Sequence, residues 1–193
     1  FHVTVKGGRY LEAAAKADTI VFDKTGTLTR ACPTVACVIP FGGREEAEML
    51  RVAACLEEHF PHSMANAVVR AAQERNLAHK EMHSQVEYLV AHGISSTVNG
   101  EKVIIGSAHF VFEDEKCAIP QGEEERFRAL PDQYSHLYLA IGGVLAAVIC
   151  ISDPLRQEAR QVIAALGQLG VKRAVVLTGD SRRTAAAIAG EVG

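Results

Sequence analysis

The stretch Asp23-Lys24-Thr25-Gly26-Thr27-Leu28-Thr29 directly follows the short apolar run Thr19-Ile20-Val21-Phe22. β-branched and aromatic residues favour a strand, and open α/β sheets place their ligand-binding loops directly after strands. An aspartate at a strand's carboxyl end can attack phosphorus when backbone N–H groups and hydroxyls of the loop hold the phosphate oxygens. An aspartate before a turn can also be purely structural. The stretch therefore favours an α/β fold and makes Asp23 a candidate nucleophile.

The composition of the chain narrows the function classes. It has 193 residues, of which 48% are hydrophobic and 22% charged, as in a globular protein of one or two domains. A net charge of -3 argues against nucleic-acid binding. Five cysteines without a C-x-x-C pair indicate neither a disulfide framework nor a zinc knuckle, so a reducing, cytosolic setting is expected.

Strand and helix signals follow one another along the first two thirds of the chain. We predict a helix at 9–17, strands at 19–22 and 32–40, and a helical hairpin formed by residues 44–58 and a helix capped by Ser63. Short β-rich runs follow at 86–90, 95–98 and 103–105, with a hairpin turn at Asn99-Gly100. Residues 113–132 are interpreted as a surface excursion with one short helix at 123–130.

The uncharged stretch 137–151 is too short to cross a bilayer and is interrupted by Gly142-Gly143, so it predicts a β-hairpin. Asp153-Pro154 then opens a predicted helix to about 168, followed by a strand at 172–177, the loop Thr178-Gly179-Asp180 and a helix at 181–192. Parallel-sheet signals thus flank an antiparallel middle. The pattern predicts one α/β domain with a second domain inserted in it.

Three motifs occur in the order found in one family. Asp23 to Thr29 resembles the phosphorylation signature D-K-T-G-T-L-T of P-type ATPases, cation pumps of the haloacid dehalogenase superfamily. Thr178-Gly179-Asp180 resembles their T-G-D motif, and Asp153-Pro154 resembles the hinge after their inserted domain. The resemblance implies a haloacid dehalogenase-like (Rossmann-like) phosphorylation domain at 1–32 and 152–193, C-terminally incomplete. It also implies an inserted α+β nucleotide-binding domain at 33–151, with an antiparallel sheet and a helical hairpin.

The resemblance assigns roles around the phosphate. It implies that Asp23 accepts the phosphoryl group and that Asp23 and the backbone of Thr25 supply part of the Mg2+ coordination. The residues implied to surround the phosphate are Lys24, Thr25, Gly26, Thr27, Thr178, Gly179 and Asp180. The family's G-D-G-x-N-D segment, which helps to hold Mg2+, does not occur in this sequence. We therefore expect a piece of a longer protein that binds nucleotide but phosphorylates inefficiently.

The middle of the chain resembles the heavy-metal-transporting (CPx-type) branch, which has a short S-E-H-P motif between two helices and a Glu five residues before its His. Here Phe60-Pro61-His62-Ser63 takes that place, so His62 and Glu57 are the implied nucleotide ligands, with Ser63 replacing the motif's Pro. A His can stack on or hydrogen-bond an adenine, and a Glu can accept from its amino group. His59 with His62, and His79 with His83, could instead mark a metal site or a solvated face.

Two glycine positions complete the implied nucleotide site. The family's G-x-G appears as Ala91-His92-Gly93-Ile94, and Gly106-Ser107 resembles its later Gly-Asn. Small residues there would let backbone approach the nucleotide closely, although a plain β-turn explains each glycine nearly as well. The implied set is thus Glu57, His62, Gly93, Ile94, Gly106 and Ser107.

The resemblance implies a function and leaves alternatives. The implied function is the cytoplasmic, ATP-binding and phosphoryl-accepting part of a membrane pump for a heavy-metal cation, with ATP and Mg2+ as cofactors. The implied partners are the pump's actuator and membrane domains, with the metal ion bound in the membrane part. An incomplete sheet would also expose an edge that favours dimers.

The alternatives are a soluble phosphatase or phosphotransferase with an inserted cap, and a regulatory module that binds nucleotide without chemistry. Superfamily phosphatases carry a second Asp where this chain has Thr25, which argues against rapid hydrolysis.

Overall fold

The computed structural model describes residues 3–59, 61–77, 87–89, 93–179 and 182–193. The helices are α1 Gly8–Ala15, α2 Glu46–Glu57, α3 Ser63–Glu74, α4 Glu124–Arg128, α5 Ala159–Gln168 and α6 Arg182–Val192. The strands are β1 Thr19–Asp23, β2 Thr34–Pro40, β3 Glu87–Leu89, β4 Gly93–Val98, β5 Glu101–Gly106, β6 Ser135–Ile141, β7 Val144–Ser152 and β8 Arg173–Leu177. Within the described ranges, no helix combines the length and hydropathy needed to cross a bilayer.

The chain divides into two compact units. Unit 1 comprises Phe1–Arg30 and Leu155–Gly193, and unit 2 comprises Ala31–Pro154. The boundaries expected from the sequence, 33 and 151, lie inside unit 2 by two or three residues. Unit 2 is therefore an insertion in unit 1, and it begins after the Asp23 stretch.

Unit 1 is built around two parallel strands distant in sequence. β1 pairs with β8 in parallel from Thr19 opposite Arg173 to Asp23 opposite Leu177. A small apolar cluster of Leu28, Ala159 and Val192 packs there with half-buried Phe22 and Val176. The predicted α/β character of both chain ends is confirmed, because the strands meet in one parallel sheet.

Unit 2 contains a six-stranded antiparallel sheet in the order β2-β7-β6-β5-β4-β3. One face packs against α2 and α3, whose apolar residues share a core with side chains such as Ile94, Leu139 and Ile149. The turn between β4 and β5 has φ of 51° at Asn99 and 84° at Gly100, the left-handed pair that Asn-Gly favours in two-residue hairpins. The predicted hairpins at Asn99-Gly100 and Gly142-Gly143 are both confirmed.

The short helix predicted in the segment 113–132 is present as α4, but the segment is more than a surface excursion. Cys117 and Leu130 are buried, and together with Phe110 and Val111 they cover the second face of the sheet. The rings of Phe112 and Phe127 meet edge to face at 5.4 Å. This second apolar core was not predicted, because the segment is rich in acidic residues and shows neither helical nor strand periodicity.

Two predicted helix starts also differ from the structure. The helix expected from Asp153-Pro154 begins only at Ala159, because Leu155 pairs with Thr29 and the Arg156 N–H donates to the Leu28 carbonyl at 2.8 Å. The N-cap of α3 is His62 rather than Ser63, since the His62 Nδ1 accepts the Ala65 N–H at 3.2 Å. α5 therefore begins later than predicted, and α3 begins one residue earlier.

Candidate functional site

The carboxyl ends of β1 and β8 lie side by side. Asp23 is opposite Leu177, so the loop after Asp23 and the Thr178-Gly179 turn leave neighbouring parallel strands, which run about 4.8 Å apart in sheets. Asp23 and Gly179 are exposed and Thr178 is half-buried. The structure thus brings the two predicted phosphate loops to one edge. Asp180, with its neighbour Ser181, lies outside the described residues.

The loop after Asp23 has a defined shape. Thr25 has φ -77° and ψ 120°, and Gly26 has φ 78° and ψ -11°, which are the dihedral angles of a type II turn. That turn requires a positive φ at its third residue, which glycine adopts without steric cost. Thr25, Gly26 and Thr27 are exposed at the turn, whereas Lys24 is buried. The hydroxyls of Thr25 and Thr27 are therefore open to a ligand.

Thr29 is only 1% exposed and closes this loop by hydrogen bonds. Its Oγ1 accepts the Gly26 N–H at 3.1 Å and donates to the Lys24 carbonyl at 3.2 Å. Its own N–H donates to the same carbonyl at 3.1 Å. Because a buried hydroxyl is rarely left unpaired, these bonds fix the turn before any ligand arrives.

Arg156 also forms hydrogen bonds to the same loop. The sequence did not predict this role. Its Nη2 donates to the Gly26 carbonyl at 3.1 Å, and its backbone N–H donates to the Leu28 carbonyl. One signal could have found it: the predicted helix would place this cation in its first turn, where the helix dipole disfavours positive charge. Arg156 therefore belongs to the Asp23 loop rather than to α5.

The potential ligand atoms near Asp23 are oxygens, which is the ligand type that Mg2+ prefers. Mg2+ prefers oxygen ligands and keeps several waters, so one carboxylate and a backbone carbonyl, as at Asp23 and Thr25, provide part of an octahedral shell. In the part of the chain that the structure describes, no group of three or more His, Cys, Asp or Glu residues could hold a metal ion. The remaining ligands would come from water, substrate or other groups.

In unit 2, Glu57 and His62 face each other at the junction of α2 and α3. The His62 Nε2 lies 3.5 Å from the Glu57 Oε2. Because the His62 Nδ1 accepts the Ala65 N–H, a neutral ring carries its proton on Nε2, on the side of Glu57. Glu57 is 2% exposed, and its Oε2 has no hydrogen-bond partner. A buried acceptor without a partner is costly, which suggests a donor supplied by a ligand.

Burial sets the protonation of both groups. It raises the pKa of Glu57 from the ordinary 4.5 to about 7 and lowers the pKa of His62 below its ordinary 6.5. At neutral pH the imidazole is therefore uncharged and the carboxyl is close to its midpoint. The pair is not an ion pair there, and it presents hydrogen-bonding groups to a ligand.

The competing histidine, His59, has a different neighbour. Its Nε2 lies 3.6 Å from the Oε1 of Glu58, and both side chains are about one-third exposed. It does not share the buried carboxyl of Glu57. The other predicted pair, His79 and His83, lies outside the described residues, as do Phe60, Ala91 and His92.

The glycine positions lie together, and packing explains one of them. Gly93 and Gly106 are directly opposite each other in β4 and β5. A Cβ at Gly93 would overlap the Ile105 carbonyl and lie 2.5 Å from the Phe110 ring, so a glycine is required there without any ligand. The Ile94 side chain is in the core, which leaves only its backbone for a ligand. The Ser107 Oγ accepts the Phe110 N–H at 3.2 Å and caps the turn that follows.

A family model matches nearly the whole chain. The model for haloacid dehalogenase-like hydrolases covers residues 17–193. The chain belongs to this family. Its curated relatives include a Mycobacterium tuberculosis protein named "Probable copper-exporting P-type ATPase V", 38% identical over 99% of this chain and 24% of the relative. They also include the zinc/cadmium/lead-transporting P-type ATPase of Escherichia coli, 39% identical over 98% of this chain and 25% of the relative.

Solved structures give the same relationship. A zinc-transporting PIB-type ATPase in its E2.Pi state is 36% identical with a TM-score of 0.64, matching 98% of this chain and 30% of that chain. The N-domain of a copper-transporting P-type ATPase is 25% identical with a TM-score of 0.53, matching 62% of this chain and 99% of that domain. This haloacid dehalogenase-like chain spans about a quarter of the length of the curated relatives it matches. The resemblance to heavy-metal P-type ATPases is confirmed.

Proposed function

We propose that this chain is the ATP-binding and phosphoryl-accepting part of a membrane pump for a heavy-metal cation. The observation that carries the proposal is the Asp23 loop, whose exposed carboxylate lies beside the Thr178-Gly179 turn at the end of two parallel strands. The names of the relatives support the transport of a metal ion, and they include copper and zinc. This chain would be the cytoplasmic portion, working with actuator and membrane domains of the same pump, and its own residues do not select the cation.

In the proposed reaction, an Asp23 carboxylate oxygen attacks the γ-phosphorus of ATP. A new O–P bond forms on Asp23, the bond from phosphorus to the bridging oxygen breaks, and ADP leaves. Backbone N–H groups and hydroxyls of the exposed Thr25 and Thr27, presented by the turn at Gly26, would hold the phosphate oxygens, assisted by Lys24, Thr178, Gly179 and Asp180. Positioning and electrostatics provide most of the rate in such transfers, so the fixed turn is the main contribution of the fold.

Asp23 and the backbone of Thr25 would hold Mg2+, which when bound neutralises charge on the transferring phosphoryl group. Thr25 stands where a hydrolytic enzyme of this superfamily would have its general base. The aspartyl phosphate would therefore persist long enough for a change of conformation in the pump.

ATP would be held in unit 2 by its adenine. The partnerless Glu57 Oε2 can accept from the adenine amino group, and the half-exposed His62 ring can stack on or bond to the base. Backbone at Gly93, Ile94, Gly106 and Ser107 would lie along the nucleotide. His62 already caps α3, so its ring is held in place before the nucleotide binds.

The first test is a calorimetric titration of ATP into the wild-type chain, His62→Asn and His59→Ala. Asn can keep the cap of α3, so the His62→Asn variant removes the ring without removing the helix start. We expect at least a tenfold loss of affinity for His62→Asn and less than a twofold change for His59→Ala. Equal binding by all three chains would refute the nucleotide site.

The second test follows the phosphoryl group itself. We expect γ-labelled ATP and Mg2+ to leave a substoichiometric, acid-stable and hydroxylamine-sensitive label that is absent from Asp23→Asn. ATP binding without any label would identify a regulatory nucleotide-binding module. Steady turnover of p-nitrophenyl phosphate would instead identify a phosphatase.

A further inference from the structure

Two cysteines outside the proposed reaction lie opposite each other in unit 2. Cys37 of β2 and Cys150 of β7 are register partners in the antiparallel sheet. Directly opposite residues point to the same face, and both side chains pack in the cluster that contains Phe41 and Val148. The Cys37 side chain interacts with the Cys150 thiol. All five cysteines of the chain are free thiols in the structure.

The backbone at this pair is compatible with a disulfide bond. Opposite Cα atoms in antiparallel strands are about 4.5 to 5.5 Å apart, within the range of about 4.4 to 6.8 Å that disulfides span. The register shifts between Val35 and Cys37, so a β-bulge directly precedes the pair. Bulges interrupt the ladder and re-aim side chains, which leaves the backbone room for a small adjustment there.

The two thiols differ in their access to solvent. Cys37 is half-buried, whereas Cys150 is fully buried. Burial raises the pKa of the Cys150 thiol far above its ordinary value, and the hydrogen bond and charge of Cys37 raise it further. Cys150 therefore keeps its proton at neutral pH. The accessible thiol is the one that can meet an oxidant.

We propose that Cys37 and Cys150 form a site of reversible oxidation that takes a hydroperoxide as substrate and ends in a cross-strand disulfide. The Cys37 thiolate attacks one oxygen of hydrogen peroxide, the O–O bond breaks, and water leaves with the Cys37 proton. Cys37 is then a sulfenic acid. The Cys150 sulfur attacks the Cys37 sulfur, an S–S bond forms, and the hydroxyl leaves as water with the Cys150 proton. Two thiols are oxidised, and one peroxide is reduced to two waters.

Neither cysteine takes part in the proposed ATP chemistry. The two strands that carry them connect unit 2 to unit 1 along the chain. β2 is the first strand after the chain enters unit 2, and β7 is the last before it leaves. The disulfide would therefore link the chain's entry to its exit. Its reduction by a thiol would restore the resting state.

The test is proteolysis and mass spectrometry of the whole chain under non-reducing conditions after treatment with hydrogen peroxide. We expect one cross-linked peptide pair joining Cys37 to Cys150, with a mass 2 Da below the sum of the reduced peptides, and its loss after dithiothreitol. In Cys150→Ala, dimedone labelling at Cys37 should rise at least fivefold over the wild type. Cys55→Ser, in the buried face of α2, is the matched control and should form the same cross-link.

The wild-type cross-link needs no variant and so does not depend on how the variants fold. Free thiols at Cys37 and Cys150 at a peroxide dose that oxidises the exposed Cys32 would overturn the proposal. So would a stable sulfenic acid at Cys37 in the wild type without any cross-link. Pairing of Cys37 with a cysteine other than Cys150 would overturn it as well.

Discussion

The Nε2 of His62 lies 3.5 Å from the Oε2 of Glu57, yet the two side chains have opposite exposures, 46% for His62 and 2% for Glu57. The carboxyl is buried without a hydrogen-bond partner for that oxygen, whereas the imidazole beside it is partly exposed to solvent. Any group that reaches the Glu57 oxygen must share the site with the His62 ring.

Glu57 should make the stability of unit 2 depend on pH. Its folded pKa is about 7 against an ordinary 4.5, so its contribution is fully present below pH 4.5 and is lost as pH rises through 7. At about 1.4 kcal/mol for each pH unit, the loss is on the order of 3 kcal/mol. Glu57→Gln should remove this dependence in urea unfolding at pH 5, 7 and 8.5.

Glu58→Gln is the matched control for that experiment, because its side chain is 30% exposed. His62 titrates with the opposite sign, since its lowered pKa costs stability as pH falls below 6.5. The His62 ring is present in the wild type and in both variants, so its contribution does not distinguish their pH profiles. An unchanged pH profile in Glu57→Gln would contradict the buried, protonated carboxyl.

His62 should also stabilise α3 as its N-cap. His62→Ala removes the acceptor of the Ala65 N–H, and loss of a cap costs about 1 kcal/mol in unfolding free energy. His62→Asn should recover most of this loss, while His59→Ala should change stability by less than about 0.5 kcal/mol. Denaturant unfolding of the three variants checks the order, and equal stability of His62→Ala and His62→Asn would disprove the cap.

Gly93→Ala should destabilise the sheet of unit 2. The added methyl would overlap the Ile105 carbonyl and the Phe110 ring, and overpacking of this kind costs about 1 to 3 kcal/mol. Gly167→Ala, in the last turn of α5 with nothing within 4 Å of its Cβ, should instead stabilise the helix by up to about 1 kcal/mol. Opposite signs in thermal unfolding are expected, and a neutral Gly93→Ala would place Phe110 elsewhere.

Arg156 should hold the Asp23 loop closed. Arg156→Ala removes the guanidinium bond to the Gly26 carbonyl, so we expect the Thr29 N–H, which bonds to Lys24, to exchange at least fivefold faster with deuterium. Glu158→Ala is the control, because its carboxylate lies 3.8 Å from the Arg156 Nη1 and touches no carbonyl of the loop. Equal protection in all three chains would show that Thr29 alone closes the loop.

Local signals explain why much of the fold was predictable. Apolar runs that end at polar loops define β1 and β8, and Asn99-Gly100 defines a hairpin, because each signal resides within a few adjacent residues. The burial of Cys117 and Leu130 was not predictable in this way. It depends on a sheet face made by strands more distant in sequence, which acidic neighbours do not reveal.

The same distinction applies to the candidate site. Asp23 and Thr178 were predicted from the sequence around them, and the pairing of β1 with β8 brings their loops to one edge. Arg156 was missed because its role is a bond to a carbonyl 130 residues away. Gly93 was interpreted as room for a ligand, whereas its nearest neighbours are a carbonyl and an aromatic ring of the same unit.

The pairing of β1 with β8 also determines the order in which the chain can fold. Thr19 and Arg173 are partners, so the parallel sheet of unit 1 cannot form until the chain has been synthesised as far as β8. Unit 2 is continuous from Ala31 to Pro154 and is complete before β8 exists. Contacts between distant residues form slowly because a long loop must close first. Folding of unit 2 shortens that loop by bringing its own ends into register, with Thr34 opposite Ser152. We therefore expect unit 2 to fold first and to bring β8 within reach of β1.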